Sequence, residues 1–184
     1  HQYNNAAALL ADQNDYKGVD MIRFGQDIDE IMDRVTLENK SILLLLEESV
    51  EMYKKYYQYE KIDGTSRKIV TRIPENAFRE AIANAIIHRF WDIDAFIMVS
   101  MFDDRIEIRS PGGLPSGISE SEYLDGQISM LRNPIISNIF YRLGIVEIFG
   151  TGILRILHAY EESIKKPIFN VSTNTIQIIL PVFD

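Results

Sequence analysis

The chain predicts an α+β two-layer sandwich: a mixed, mostly antiparallel sheet with its helices on one face. Three observations carry this reading. Apolar residues recur with a helical period near 38–59, 74–89, 133–143 and 151–162. The stretches between them alternate with period two and come as hairpins around short turns, which favours antiparallel pairing. Hydrophobic residues make up 46% of the 184, enough for the core of one ordinary domain.

Taken in order, His1-Gln2-Tyr3-Asn4-Asn5 runs without an initiating Met into the apolar block Ala6–Ala11, which reads as a piece of something longer. Gln13–Gly18 is polar and turn-prone, and Val19, Met21, Arg23 and Phe24 predict a short strand. From Thr36 to Tyr59 a long helix is expected, because Ile42, Leu45, Leu46, Ser49, Met52, Tyr53 and Tyr56 keep one stripe while Glu47, Glu48, Glu51, Lys54 and Lys55 solvate the rest. Tyr53, Tyr56, Tyr57 and Tyr59 suit core or interface packing better than base stacking, since acids surround them. Asp63-Gly64 marks a turn, and Arg67–Ile73 alternates into a strand.

Pro74 suits a first helical position, where its missing N–H costs nothing, and Glu75 sits against the positive helix end. Phe78, Ala81, Ile82, Ala85 and Ile86 form the apolar stripe of this helix, and Glu80, Asn84 and His88 follow four apart along its edge. A hairpin comes next: with Asp103-Asp104 as a two-residue turn, Met101 faces Ile106 and Val99 faces Ile108. It ends at Ser110-Pro111-Gly112-Gly113-Leu114-Pro115, where the glycines permit close backbone approach and the prolines stop ladder pairing. Residues 116–131 lack a sustained period and read as a mobile loop.

Asn133 is placed to cap a helix with Pro134 as its first residue, preceded by Arg132, which can reach an anion. Phe149-Gly150-Thr151-Gly152-Ile153 then opens a helix, leaving unpaired N–H groups at its positive end, which is the physics of phosphate binding. A closing hairpin over 167–182 pairs Phe169 with Ile178 and Val171 with Ile176 around Thr173-Asn174.

Composition narrows the chemistry. With no cysteine there is neither a disulfide nor a thiolate metal site, and three scattered histidines give no zinc spacing. No apolar run approaches the roughly 20 residues needed to cross a bilayer, and no charged-then-apolar leader is present, so a cytoplasmic location is expected. A net charge of −8, from 27 acids against 19 bases, makes this segment alone a poor ligand for duplex phosphates. No Gly-x-x-x-x-Gly-Lys-Ser/Thr loop occurs, which disfavours a helicase motor.

Residues 80–113 resemble the first two nucleotide-binding boxes of the GHKL, or Bergerat-fold, ATPases, the class of gyrase, MutL and the histidine kinases. The run REAIANAIIHR, RIEIRSPGGLP, RNPIISNIF and VEIFGTGILRI, in that order, is similar to the C-terminal domain of proteins labelled RecG-like helicases or transcriptional regulators. The four segments are specific together and weak singly. In that family an AlbA/Schlafen-like domain linked to DNA binding comes first, and AAALLAD resembles its closing segment. The resemblance thus implies residues 1–35 as the tail of a preceding domain and 36–184 as the ATP-binding domain, with the ATP lid in 116–131.

It also implies roles. Glu80 matches the general base, Asn84 the magnesium-binding asparagine, Gly112 and Gly113 the turn beside adenine, and Gly150 and Gly152 the glycines under the phosphates. His88, Ser110, Arg132 and Thr151 join them as candidate ATP contacts, and ATP and Mg2+ are the implied cofactors. Ser110-Pro111-Gly112 departs from the family's Asp-x-Gly turn, so no carboxylate stands ready for the adenine amino group, and a neutral hydrogen bond there is about half as strong.

Plainer roles stand beside each of these. Glu80 also fits a solvated helix charge, Asn84 a buried amide, His88 a partner of the terminal helix carbonyls, Gly112-Gly113 a strand-ending turn and Gly150-Thr151-Gly152 a helix start. Two functions follow: an ATP-binding, slowly hydrolysing module that switches an attached DNA-binding domain, with homodimerisation as one route, or a degenerate module that binds no nucleotide and serves dimerisation or protein interaction.

Overall fold

The structure, a computed structural model, describes residues 5–125, 131–147 and 150–183. A short helix α1 (Asn5–Leu10) leads into the hairpin β1 (Lys17–Phe24) and β2 (Ile31–Glu38), followed by α2 (Ile42–Tyr57), β3 (Gln58–Asp63) and β4 (Ser66–Thr71). Then come α3 (Glu75–His88), β5 (Ile97–Met101), β6 (Arg105–Pro111), α4 (Glu120–Leu124), α5 (Pro134–Arg142), α6 (Gly152–Ala159), β7 (Ile168–Val171) and β8 (Thr175–Pro181). The main sheet has six strands in the order β2-β1-β5-β6-β8-β7, antiparallel except where β1 runs parallel to β5. The fold is the expected α+β sandwich with a mixed sheet.

Strand alternation sorts the two faces. Val19, Met21, Ile97, Val99, Ile106, Ile108, Ile178 and Leu180 point to the helical layer and are buried, and α3 lies over them with Phe78, Ile82 and Ile86 fully enclosed. The opposite face is polar and cross-linked. Asp20 accepts from Arg34 Nη2 at 2.7 Å and Thr36 Oγ1 at 2.9 Å, and Gln177 donates to Glu107 at 3.1 Å. Two hairpins keep the expected register, Val99 opposite Ile108 and Met101 opposite Ile106 at the centre of the sheet, then Phe169 opposite Ile178 and Val171 opposite Ile176 at its edge.

Residues 35 and 36 both lie in β2, and β1 and β2 belong to the same six-stranded sheet as β5, β6, β8 and β7. Buried Arg89 fastens them: its guanidinium donates to the carbonyls of Lys17, Gly18 and Ile93 and lies 4.3 Å from the Trp91 ring, tying the start of β1 to the end of α3. The long helix begins at Ile42 rather than Thr36, because Thr36–Glu38 pair with β1, Asn39 takes a left-handed φ of 58°, and Ser41 caps Leu43 N–H. Pro74 is the N-cap of α3 rather than its first residue.

The strand expected over Arg67–Ile73 is β4, and it pairs with β3 in a separate two-stranded ribbon. Tyr53 and Tyr57 are enclosed, Tyr57 Oη donating to Phe102 O at 2.6 Å, so neither offers a face to a base. The loop expected at 116–131 contains α4, held by a capping box between Ser119 and Glu122, while its positions 126–130 lie outside the described residues. Pro111 still pairs in the ladder, opposite Thr175, as the last residue of β6, and its carbonyl accepts from Phe90 N–H at 3.1 Å.

Candidate functional site

The expected row on α3 faces open space. Glu80, Asn84 and His88 line a cleft, bounded on its other sides by Gly113 just after β6, Tyr123 of α4, and Gly150 and Gly152 at the start of α6. Helical period put the three polar side chains on one edge of α3, and packing of the opposite edge on the sheet turned that edge outward.

The tightest part of the site lies where α3 meets α6. A Cβ on Gly152 would stand 2.5 Å from Asn84 Nδ2 and 2.6 Å from Glu80 Oε1, so a larger residue there would displace the ends of these two side chains. Gly150 has a φ of +69°, which sets the turn into α6. At Thr151, the N-cap, no side-chain cap closes the helix, so the first N–H groups of α6 stay available beside Glu80 and Asn84. Phe149, expected as part of this box, lies outside the described residues.

Glu80 is 8% exposed, and burial raises its carboxyl above the ordinary carboxylate value, against the pull of Arg155 and the hydrogen bond from Asn84 Nδ2 at 3.3 Å. Because that amide nitrogen serves Glu80, Asn84 Oδ1 has no protein partner among the described residues. At the cleft mouth Glu147 pairs with Arg155 at 3.4 Å. His88 sits deep in the wall, and burial together with the charge of Arg132 lowers its imidazole to about 4, so it is neutral at pH 7. Among the described residues no hydrogen bond joins His88 to the last carbonyls of α3. Asn133 serves this end instead, donating to Ile87 O at 2.8 Å and Arg89 O at 2.9 Å, and it gives α5 no side-chain cap.

Other expected contacts are placed elsewhere. Gly112, at φ +97°, does not line the cleft; its missing Cβ makes room for Phe90 and Arg132, and its N–H donates to Asn174 O at 2.7 Å. Gly113 lines the cleft but is glycine for a packing reason, since a Cβ would come within 2.6 Å of Ser172 O. Arg132 braces this turn by donating to Gly113 O at 2.6 Å, with its guanidinium 5.3 Å from the Phe90 ring, and is not a cleft residue. Thr151 is not a cleft residue either. Ser110 stands in a recess beside the cleft, its hydroxyl donating to Ala85 O at 3.0 Å. The sequence reading missed Tyr123, Glu147, Val146 and Ile176; the capping box Ser119–Glu122 was the available signal for the helix that brings Tyr123 in.

Could these groups hold a magnesium nucleotide? Among the described residues no cluster of three His, Asp or Glu can hold a metal by itself. The free Asn84 Oδ1 and the glycine cradle at α6 nevertheless suit a cation that arrives bound to phosphates, since Mg2+ commonly keeps waters and few protein ligands.

Residues 94–180 match the family described as "Putative ATP-dependent DNA helicase recG C-terminal". The match takes in a little under half of the chain and marks an ATPase-like region similar to that of RecG-like proteins; it begins after α3, so Glu80, Asn84 and His88 fall outside it. The crystal structure of the DIP2311 protein from Corynebacterium diphtheriae is similar over 98% of this chain, with 26% identity and a TM-score of 0.84. The chain spans 37% of that protein's length. No curated protein matches.

Proposed function

We propose that the chain is a GHKL-type module that binds ATP with Mg2+ and hydrolyses it slowly. One observation carries this reading: a single cleft joins Glu80 and Asn84 of α3 to the glycine-opened N-terminus of α6, with Gly152 directly against the ends of both side chains. Unpaired N–H groups at a helix start attract phosphate oxygens. Asn84 Oδ1 would hold the cation, which would supply charge neutralisation to the phosphates. Glu80 orients and deprotonates the attacking water, a role suited to a carboxylate whose proton affinity burial has raised.

The module serves a longer regulator. On this reading an AlbA/Schlafen-like domain precedes α1 and meets DNA, the chain works in the cytoplasm, and nucleotide binding or homodimerisation switches the attached domain. The acidic balance of −8 supports leaving DNA contact to that other domain. No helix among the described residues is long and apolar enough to cross a membrane. Titration calorimetry with millimolar ATP and Mg2+ should show heat, and the melting temperature should rise as bound ligand stabilises the fold. Absence of both would overturn the reading.

A specific observation favours a second reading. The hydroxyl of Ser110 is already engaged by Ala85 O, so the recess holds no charged acceptor for adenine. A module that has lost nucleotide binding and acts in dimerisation or protein interaction would look like this, and the same calorimetry separates the two.

A further inference from the structure

Two charged residues at the cleft mouth, Glu147 and Arg155, belong to none of the steps above. Glu147 lines the cleft beside Gly150 and Gly152, and Arg155 stands in the opening turn of α6. Arg155 and Gly152 are three apart, so they share the helix face that abuts Glu80 and Asn84. Side chains on a helix lean back over the turn before them, which carries this guanidinium toward the start of α6. Its surroundings agree. Arg155 Nη2 lies 3.4 Å from Glu147 Oε1, and Arg155 pulls on the Glu80 carboxyl more strongly than any other charge does. Arg155 does not line the cleft itself, yet its head group touches a carboxylate that does.

Nothing in the packing explains an arginine at this place. A cation near a helix N-terminus opposes the dipole, and no acid stands in the first turn of α6 to offset it. The contact with Glu147 is a poor anchor, since the two side chains are 50% and 44% exposed and ion pairs this open add little to stability. Among the described residues no hydrogen bond holds the guanidinium. It is a planar fork of five donors, free to turn, beside a helix start whose N–H groups are uncapped. Such a fork suits a phosphate, which accepts two parallel hydrogen bonds from it.

We propose that Arg155 binds the terminal phosphate of a triphosphate at the start of α6, and that Glu147 is a counter-ion that holds the arginine at the cleft mouth until the phosphate displaces it. This rests on the nucleotide reading above and names the residue that tells a triphosphate from a diphosphate. Phosphate and carboxylate compete for one guanidinium, and the exchange needs only side-chain rotation. ADP lacks the group that draws the arginine away, so it leaves the Glu147–Arg155 pair closed.

Calorimetric titration of the intact chain with ATP and with ADP, each with Mg2+, reads this division. Arg155→Ala, checked for folding by circular dichroism, should weaken ATP binding by more than about tenfold and ADP binding by less than about threefold. Arg155→Lys keeps the charge without the fork and should recover part of the ATP loss. Glu147→Gln should tighten ATP by about two- to fivefold, because binding no longer has to break a half-exposed ion pair. Equal losses for ATP and ADP in the folded Arg155→Ala protein overturn the inference and leave nucleotide binding intact. Weaker ATP binding by Glu147→Gln makes that carboxylate part of the ligand's own shell and overturns the counter-ion role. If the parent binds neither nucleotide, the proposed function fails and this inference with it.

Discussion

The two ends of the cleft are built on opposite principles. At the α6 end, position is set by backbone: Gly152 stands directly against the ends of Glu80 and Asn84, which bond to each other across one helical turn. At the recess end, hydroxyls and an imidazole hang on aliphatic walls, and Ser110 bonds inward to the helix backbone. The difference teaches where binding energy is available. Among the described residues Asn84 Oδ1 has no protein partner, whereas the recess is closely packed and its Ser110 hydroxyl is already engaged.

If the ends are independent, variants should separate them. The largest effect is expected for Glu80→Ala, which should lower any ATP turnover by a factor on the order of 10²–10⁴ while affinity changes little. Single-turnover hydrolysis and calorimetry on the same preparation would show it, and equal losses in both would make Glu80 a binding residue. Asn84→Ala should weaken Mg2+-dependent affinity by about 10–100-fold, similar to other losses around a metal. Unaltered ATP–Mg2+ affinity in a folded Asn84→Ala protein would remove the metal role and strengthen the degenerate-module reading.

His88 stands where the two ends meet and offers a pH test. Its pKa is about 4 in the fold against an ordinary 6.5, so on acidification the unfolded chain takes up a proton that the folded chain refuses. Stability should therefore fall as pH drops from about 6.5 to 4 and level off below that, by roughly 3 kcal/mol from this group. Urea melts at about pH 7, 5 and 4 should show a flatter loss for His88→Gln than for the parent; identical slopes would mean that the ring is solvated. The smallest effect belongs to Tyr123→Ala. It should reduce nucleotide affinity by less than about tenfold, through lost packing at the cleft, and leave the Mg2+ dependence unchanged.

Much of this was legible in the sequence, for local reasons. The stripe of Phe78, Ala81, Ile82, Ala85 and Ile86 fixed α3, and a polar row four apart had to follow one edge of it. The hairpins around Asp103-Asp104 and Thr173-Asn174 were legible because a two-residue turn sets the register of everything beyond it. Glycine pairs marked the places of close approach, although not their causes: Gly113 avoids the β7–β8 turn and Gly112 makes room for Phe90 and Arg132.

Tertiary structure decided the rest, because long-range packing leaves no local period. That β1 joins β5 in parallel, and so draws residues before 36 into the sheet, depends on Val19 and Met21 meeting Ile97 and Val99 across a long crossover. Arg89, for which the sequence offered no reading, is a buried clamp. Asn133 left its own helix to finish another. Alone, the chain's order of residues determined which side chains share a helix edge or a strand face. Only folding decided what stands opposite that edge, since contact between α3, α6 and the end of β6 is a property of three distant segments meeting at once.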